Sequence, residues 1–229
     1  SRSVSLYEGP TGARRWGDAE ARALLLANRA LIKEILSRNE AIIRDYQENR
    51  LDDLPDPGAF FASPAWQEPQ QLISLASYWL GWNGYYTSRL LTRGDPLRKE
   101  VLEESIGAFS RALIDFGEDS ITSKTQFGRG LAYRQLEEYG RAAHDFRAIK
   151  EQLPRSDPLH VRCLYEEAAL SFDTGNLSLA SRQLERIREE IPEAQGSRER
   201  WRPRRCRFGS TSARAGIDGR WCARCGIGA

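Results

Sequence analysis

The chain has 229 residues, 40% apolar and 29% charged, with a formal net charge of +2. That is enough for one large domain or a run of stacked units. No apolar run approaches the ~18 residues of a membrane-crossing helix, so that class is excluded. Residues 196–229 carry nine arginines against Glu199 and Asp218, a net of +7, which leaves about −5 for residues 1–195. A mildly acidic body thus carries a strongly basic end.

Residues 1–17 are rich in Gly, Ser and Arg and have no periodic apolar signal, so they read as an extended lead. Asp18 is a helix N-cap, and a long helix is expected to about Asn49. Its stripe runs through Ala21, Leu24, Leu25, Leu31, Ile32, Ile35, Ile42, Ile43 and Tyr46. Such a helix either braces the units that follow or forms a coiled-coil seam with a second copy. In the second case Asn28 and Asn39 would set the register.

Residues 50–69 hold Pro55, Pro57, Pro64 and Pro69, and no helix is expected to cross them. Phe60, Phe61 and Trp66 would pin this loop to the body. A helix is expected over 70–93, where Tyr78, Trp79, Trp82, Tyr85 and Tyr86 crowd around Gly81 and Gly84. Glycine inside a helix suits the close approach of a neighbour, so these aromatics read as interhelical core ahead of a ligand cradle. Gly94-Asp95-Pro96 ends the helix, and another is expected over about 97–115.

From Gly130 the steps are +3 Tyr133, +12 Ala142, +16 Phe146, +19 Ile149 and +24 Pro154. Ala168, 38 residues later, begins the same series with Ser171, Ala180, Leu184, Ile187 and Pro192. Glu137-Glu138 and Gly175 fall where each series turns. The pattern is a helix, a short turn and a second helix, used twice, over about 121–154 and 157–192. A degenerate earlier copy has Ser105, Phe109 and Ala112 in its second helix.

The small-x-x-aromatic, Ala-x-x-x-Phe and terminal-Pro series resembles the tetratricopeptide repeat, whose unit is about 34 residues. The resemblance covers roughly residues 70–192 and is specific over about 122–192. It implies an all-α fold: a short right-handed α-solenoid of helix-turn-helix repeats after a long N-terminal helix. The domains are then 1–17 (lead), 18–69 (helix and Pro-rich loop), 70–195 (repeats) and 196–229 (basic disordered tail).

In that family the first helices of successive repeats line a groove that holds a partner segment. Carried over, the groove residues are Lys124, Phe127, Leu131 and Arg134, with Arg162, Tyr165 and Phe172 in the next unit. The expected function is a non-catalytic scaffold for a protein or peptide, with self-association through the N-terminal helix as a further option.

The chemistry-bearing residues add little. Cys222-Ala-Arg-Cys225 with Cys206 falls one ligand short of a structural zinc site, and the tail has no histidine. His160 and Cys163 lie three apart on a helix, but nothing supplies an orienting group or an oxyanion hole. No phosphate loop or hydrolase motif is present, so no enzyme and no cofactor is expected. The arginine cluster Arg198 to Arg207 around Trp201 gives the competing class, nucleic-acid or anionic-surface binding. Against that, the abrupt change of composition after Pro192 reads as an artefactual or merely solvated tail, so nucleic acid is the lesser expectation. Methionine is absent, even at residue 1, which reads as a processed or trimmed start. The Arg-, Ala- and Gly-rich composition points to a bacterial chain; the resemblance, with repeats of that family common in envelope assembly proteins, and the start together imply the envelope or periplasm, with the cytoplasm as the alternative.

Overall fold

A computed structural model of the chain describes residues 18–49, 56–116 and 120–190. The expected lead, the arginine cluster, the C-x-x-C pair and Pro192 lie outside the described residues. Those described form eight helices and no strand, the all-α class the apolar spacing requires. In chain order they are α1 (Asp18–Asn49), α2 (Pro57–Phe61), α3 (Pro64–Arg89), α4 (Pro96–Phe116), α5 (Ser120–Gln135), α6 (Tyr139–Gln152), α7 (Pro158–Asp173) and α8 (Leu177–Glu190). No helix among them is long and apolar enough to cross a membrane.

The prolines act mainly as starters. Pro57, Pro64 and Pro158 each open a helix, where the missing N–H is one of those left unbonded in any case. The Asp56 and Asp157 carboxylates accept backbone N–H groups of the turns that follow, from Ala59 at 3.1 Å and Leu159 at 2.7 Å. Pro69 corrects the expectation of a loop to residue 69, since it lies inside α3 and is buried. A proline there removes one i→i−4 bond. The turns around it are held by an aromatic cluster: Phe60 packs on Tyr46 of α1 at 4.8 Å, and Phe61 on Trp66 of α3 at 4.9 Å.

Helices α3 to α8 form consecutive hairpins, each second helix also packing on the first helix of the next. The first hairpin is the longest: α3 and α4 have 26 and 21 residues, against 16 and 14 in α5 and α6. Both its helices are extended, which explains why its apolar spacing departs from the later pattern. α1 packs along α3, and Asn83 Nδ2 donates to the Leu25 carbonyl at 2.8 Å. Salt bridges from Arg29 and Lys33 to Glu104, and from Glu40 to Arg111, tie its flank to α4. The brace expected for this helix is therefore made within the chain. Asn39 is buried there, donating to the Ile35 carbonyl at 2.7 Å.

The core follows from the small residues. A Cβ on Gly130 would lie 2.7 Å from the Phe146 ring, so only glycine lets α5 and α6 close on that phenylalanine. Tyr133 packs against the same core cluster, half-buried, with the Arg129 and Arg141 guanidinium groups near its ring.

The turn between α5 and α6 repeats between α7 and α8, 38 residues on. Glu138 N donates to the Tyr133 carbonyl at 3.0 Å, and Asn176 N to that of Ser171 at 2.8 Å. Glu137 N bonds to Arg134 and Gly175 N to Phe172, at 3.1 and 2.9 Å. This pair of bonds closes a helix only when the residue after its last turn is left-handed. Glu137 and Gly175 occupy that position with φ of 65° and 80°. A side chain there is strained by about 1–2 kcal/mol, partly offset by the freedom glycine gives the unfolded chain. Glu137→Gly is therefore expected to stabilise the fold by ~0.5 kcal/mol even as it removes an exposed pair with Arg93, and Gly175→Ala to destabilise it by about 1 kcal/mol or more. Urea denaturation of both variants checks this. The same sign at both sites would break the equivalence of the two turns.

Candidate functional site

The first helices of the hairpins lie in one row and the second helices in another. α3 contacts α5, and α5 contacts α7, whereas α4, α6 and α8 approach one another less closely. The row of α3, α5 and α7 is therefore the more closely spaced of the two, and its free surface, here the inner surface, is the candidate site.

On α5, Lys124 is exposed and makes no ion pair among the described residues. Phe127 and Leu131 correct the expectation of a surface strip, because both are buried. Phe127 packs on Phe146 at 5.6 Å between ring centroids, and Tyr85 of α3 joins the same cluster. From the other side the Arg162 guanidinium lies 4.8 Å from the Phe127 ring centroid. α5 is thus enclosed by α3 and α7, and only its longer polar side chains reach the inner surface.

Arg134 is one of these, and it is engaged. Its Nε donates to Asp173 Oδ2 at 2.7 Å and its Nη1 to Glu166 Oε2 at 2.6 Å, joining α5 to α7. Burial alone would lower its pKa, but the two carboxylates outweigh that and hold it above its ordinary value. The opposite charge was findable in the sequence. A step of 38 residues from Arg134 reaches Phe172, and Asp173 is the next residue.

Beyond this clamp, α7 presents Arg162 and Phe172, both exposed, with half-buried Tyr165 between them. α3 adds a contribution the motif did not suggest: Leu72 and Leu75 are exposed, and Trp79, Trp82 and Tyr86 continue the stripe at helical spacing, half-buried. Trp82 stacks on Tyr86 at 5.6 Å and meets Phe109 edge-on at 5.5 Å. The carried-over groove residues left this helix out because its hairpin is longer than the others and departs from the motif spacing. The inner surface is consequently apolar and aromatic on α3 and α7, with Lys124 and Arg162 as cations between.

A second concavity, of about 350 Å³, lies between α5 and α6 and is lined by Arg129, Tyr133, Gly140, Arg141, His144 and Asp145. Its main charge is already matched: Arg129 Nη2 and Nε hold Asp145 at 2.7 and 2.9 Å. No protein-family model, curated protein or solved structure matches the chain.

Cys163 is fully buried, and desolvation pushes its pKa up to about 12. A thiol in that state is not a nucleophile at neutral pH. His160 Nδ1 lies 3.1 Å from the Leu153 carbonyl, so that ring nitrogen is occupied by the backbone. Among the described residues no three His, Cys, Asp or Glu side chains converge on a point that could hold a metal ion.

Proposed function

We propose that this protein is a non-catalytic scaffold, a short right-handed solenoid of tetratricopeptide-like hairpins that holds a partner segment along the row of α3, α5 and α7. The observation that carries the reading is the closer spacing of the α3, α5 and α7 row, which leaves exposed and half-buried apolar side chains along α3 and α7. The recurrence of the turn at 38 residues supports a repeat. Such a stack buries a continuous core and leaves an extended binding surface.

The chemistry of the surface selects the partner. Tyr165, Phe172 and Trp79 offer apolar contact, while Lys124 and Arg162 supply positive charge. An amphipathic segment with apolar side chains on one face and acidic residues beside them is complementary. Arg134 is not available to that segment, being neutralised by Asp173 and Glu166. Phe127 supports Arg162 from below and does not touch the partner.

The test is selection of binders from a random peptide library against the full chain, followed by titration of the tightest peptide. Tyr165→Ala with Phe172→Ala is expected to weaken binding at least ~10-fold, about 1.4 kcal/mol. A chain ending at residue 195 is expected to bind within about twofold of the full chain, since the surface lies wholly on α3, α5 and α7. If the truncated chain loses binding and the double variant keeps it, the arginine-rich segment is the binding element and the scaffold reading is wrong.

A further inference from the structure

α1 contributes more apolar surface than α3 covers. Ala21, Leu25 and Ile43 are buried, but Leu31, Ile35 and Ile42 are 59%, 46% and 36% exposed. At 3.6 residues per turn, these three point roughly half a turn away from Lys33 and Glu40, which reach α4. They therefore look to the side of the α1–α3 pair opposite α4. The exposed Leu72 and Leu75 of α3 lie on that same side, since Gly81 and Gly84 mark the face that meets α4. The two strips form the walls of one open apolar trough.

We propose that a second copy of this chain occupies the trough, with its α1 lying antiparallel to the first. The exposed side of α1 has coiled-coil spacing: Leu24, Asn28, Leu31, Ile35, Arg38 and Ile42 alternate by three and four. Aligned antiparallel, Leu24 meets Ile42 of the second copy and Leu31 meets Ile35. Asn28 then faces Arg38, whose guanidinium can donate to the amide oxygen. A parallel alignment would set Arg38 against Arg38. The contact is isologous, so each copy fills the trough of the other. Five large apolar side chains, Leu31, Ile35, Ile42, Leu72 and Leu75, are 36–59% exposed along the two strips, more contiguous apolar exposure than scattered surface residues give. This inference rests on the two helix faces and is independent of the repeat reading and of the partner proposed above.

Sedimentation equilibrium of the full chain tests it, with circular dichroism to verify folding of each variant. The wild type is expected to dimerise with concentration. Ile35→Glu is expected to raise the dimer dissociation constant at least ~10-fold. Leu26→Glu is expected to leave it unchanged, because Leu26 is exposed on the other flank of the same helix. Asn28→Asp is expected to tighten the dimer by placing a carboxylate against Arg38; a weakened dimer would overturn the antiparallel alignment. A wild type that stays monomeric, or a dimer that Ile35→Glu and Leu26→Glu affect alike, would overturn the proposal.

Discussion

Phe109→Ala is expected to destabilise the fold by about 3–5 kcal/mol, the largest loss at any core position described. Phe109 on α4 is fully buried, and glycines clasp its ring from two helices at once. A Cβ on Gly81 of α3 would come within 2.6 Å of it, and a Cβ on Gly128 of α5 within 2.5 Å. The ring therefore fills space that no side chain of α3 or α5 can enter. Glycine also limits the usual relief, because Gly81 and Gly128 have no side chain that could swing inward to fill the void. Trp82, edge-on at 5.5 Å, loses its partner as well. With a typical domain stability of ~5–15 kcal/mol, a third or more of the total depends on this one ring. Urea denaturation is the measurement, with the slope compared to the wild type to confirm that the same surface unfolds. A loss under ~1.5 kcal/mol would mean that the helices collapse on the void and that Phe109 does not set their spacing.

The second large effect is electrostatic. Arg129→Met is expected to cost about 3–5 kcal/mol, because it strands a carboxylate in the interior. The Asp145 side chain is 2% exposed, and Arg129 of α5 grips both its oxygens. Gln126 gives only a longer contact at 3.4 Å. Arg129 is less buried, 21% exposed by side chain, and also reaches Ser110 at 3.3 Å. The two ends are thus unequal. Asp145→Asn leaves a guanidinium that water can still solvate, and is expected to cost ~1–2 kcal/mol. The double variant Arg129→Met, Asp145→Leu removes both charges and is expected to recover most of the loss, as apolar replacements of buried pairs do. A double-mutant cycle from denaturation midpoints reads the coupling. Equal, additive single losses would show that the pair is not mutually dependent.

Helix positions were legible in this sequence wherever a local rule governs. Gly175 closes α7, and Gly130 with Phe146 announces a close helix pair. The left-handed Glu137 was not legible, because glutamate carries no signal for that conformation; only its offset from Gly175 exposes it. Pro69 misled for a related reason. Packing by Tyr46, Phe60, Phe61 and Trp66 sustains the helix around a residue that locally disfavours it.

The candidate site was half legible. Lys124, Arg162 and Phe172 are exposed and Tyr165 is half-buried, but Phe127 and Leu131 are buried. Their fate is decided by Tyr85 and Arg162, on helices 40 or so residues away, which close over α5 from either side. Periodicity names the face of a helix but not how many neighbours share it. The long stripe of α1 shows the same limit: one reading of apolar residues in the sequence divides into a buried face and an exposed one.

The most direct measurement is hydrogen exchange of the full chain with and without a selected peptide. The scaffold reading predicts slowed exchange in α7 around Arg162 to Phe172 and in the first turns of α5 around Lys124, with α8 unchanged. Protection confined to the second-helix row, or to residues beyond 190, with the inner row unaffected at saturating peptide, would contradict it.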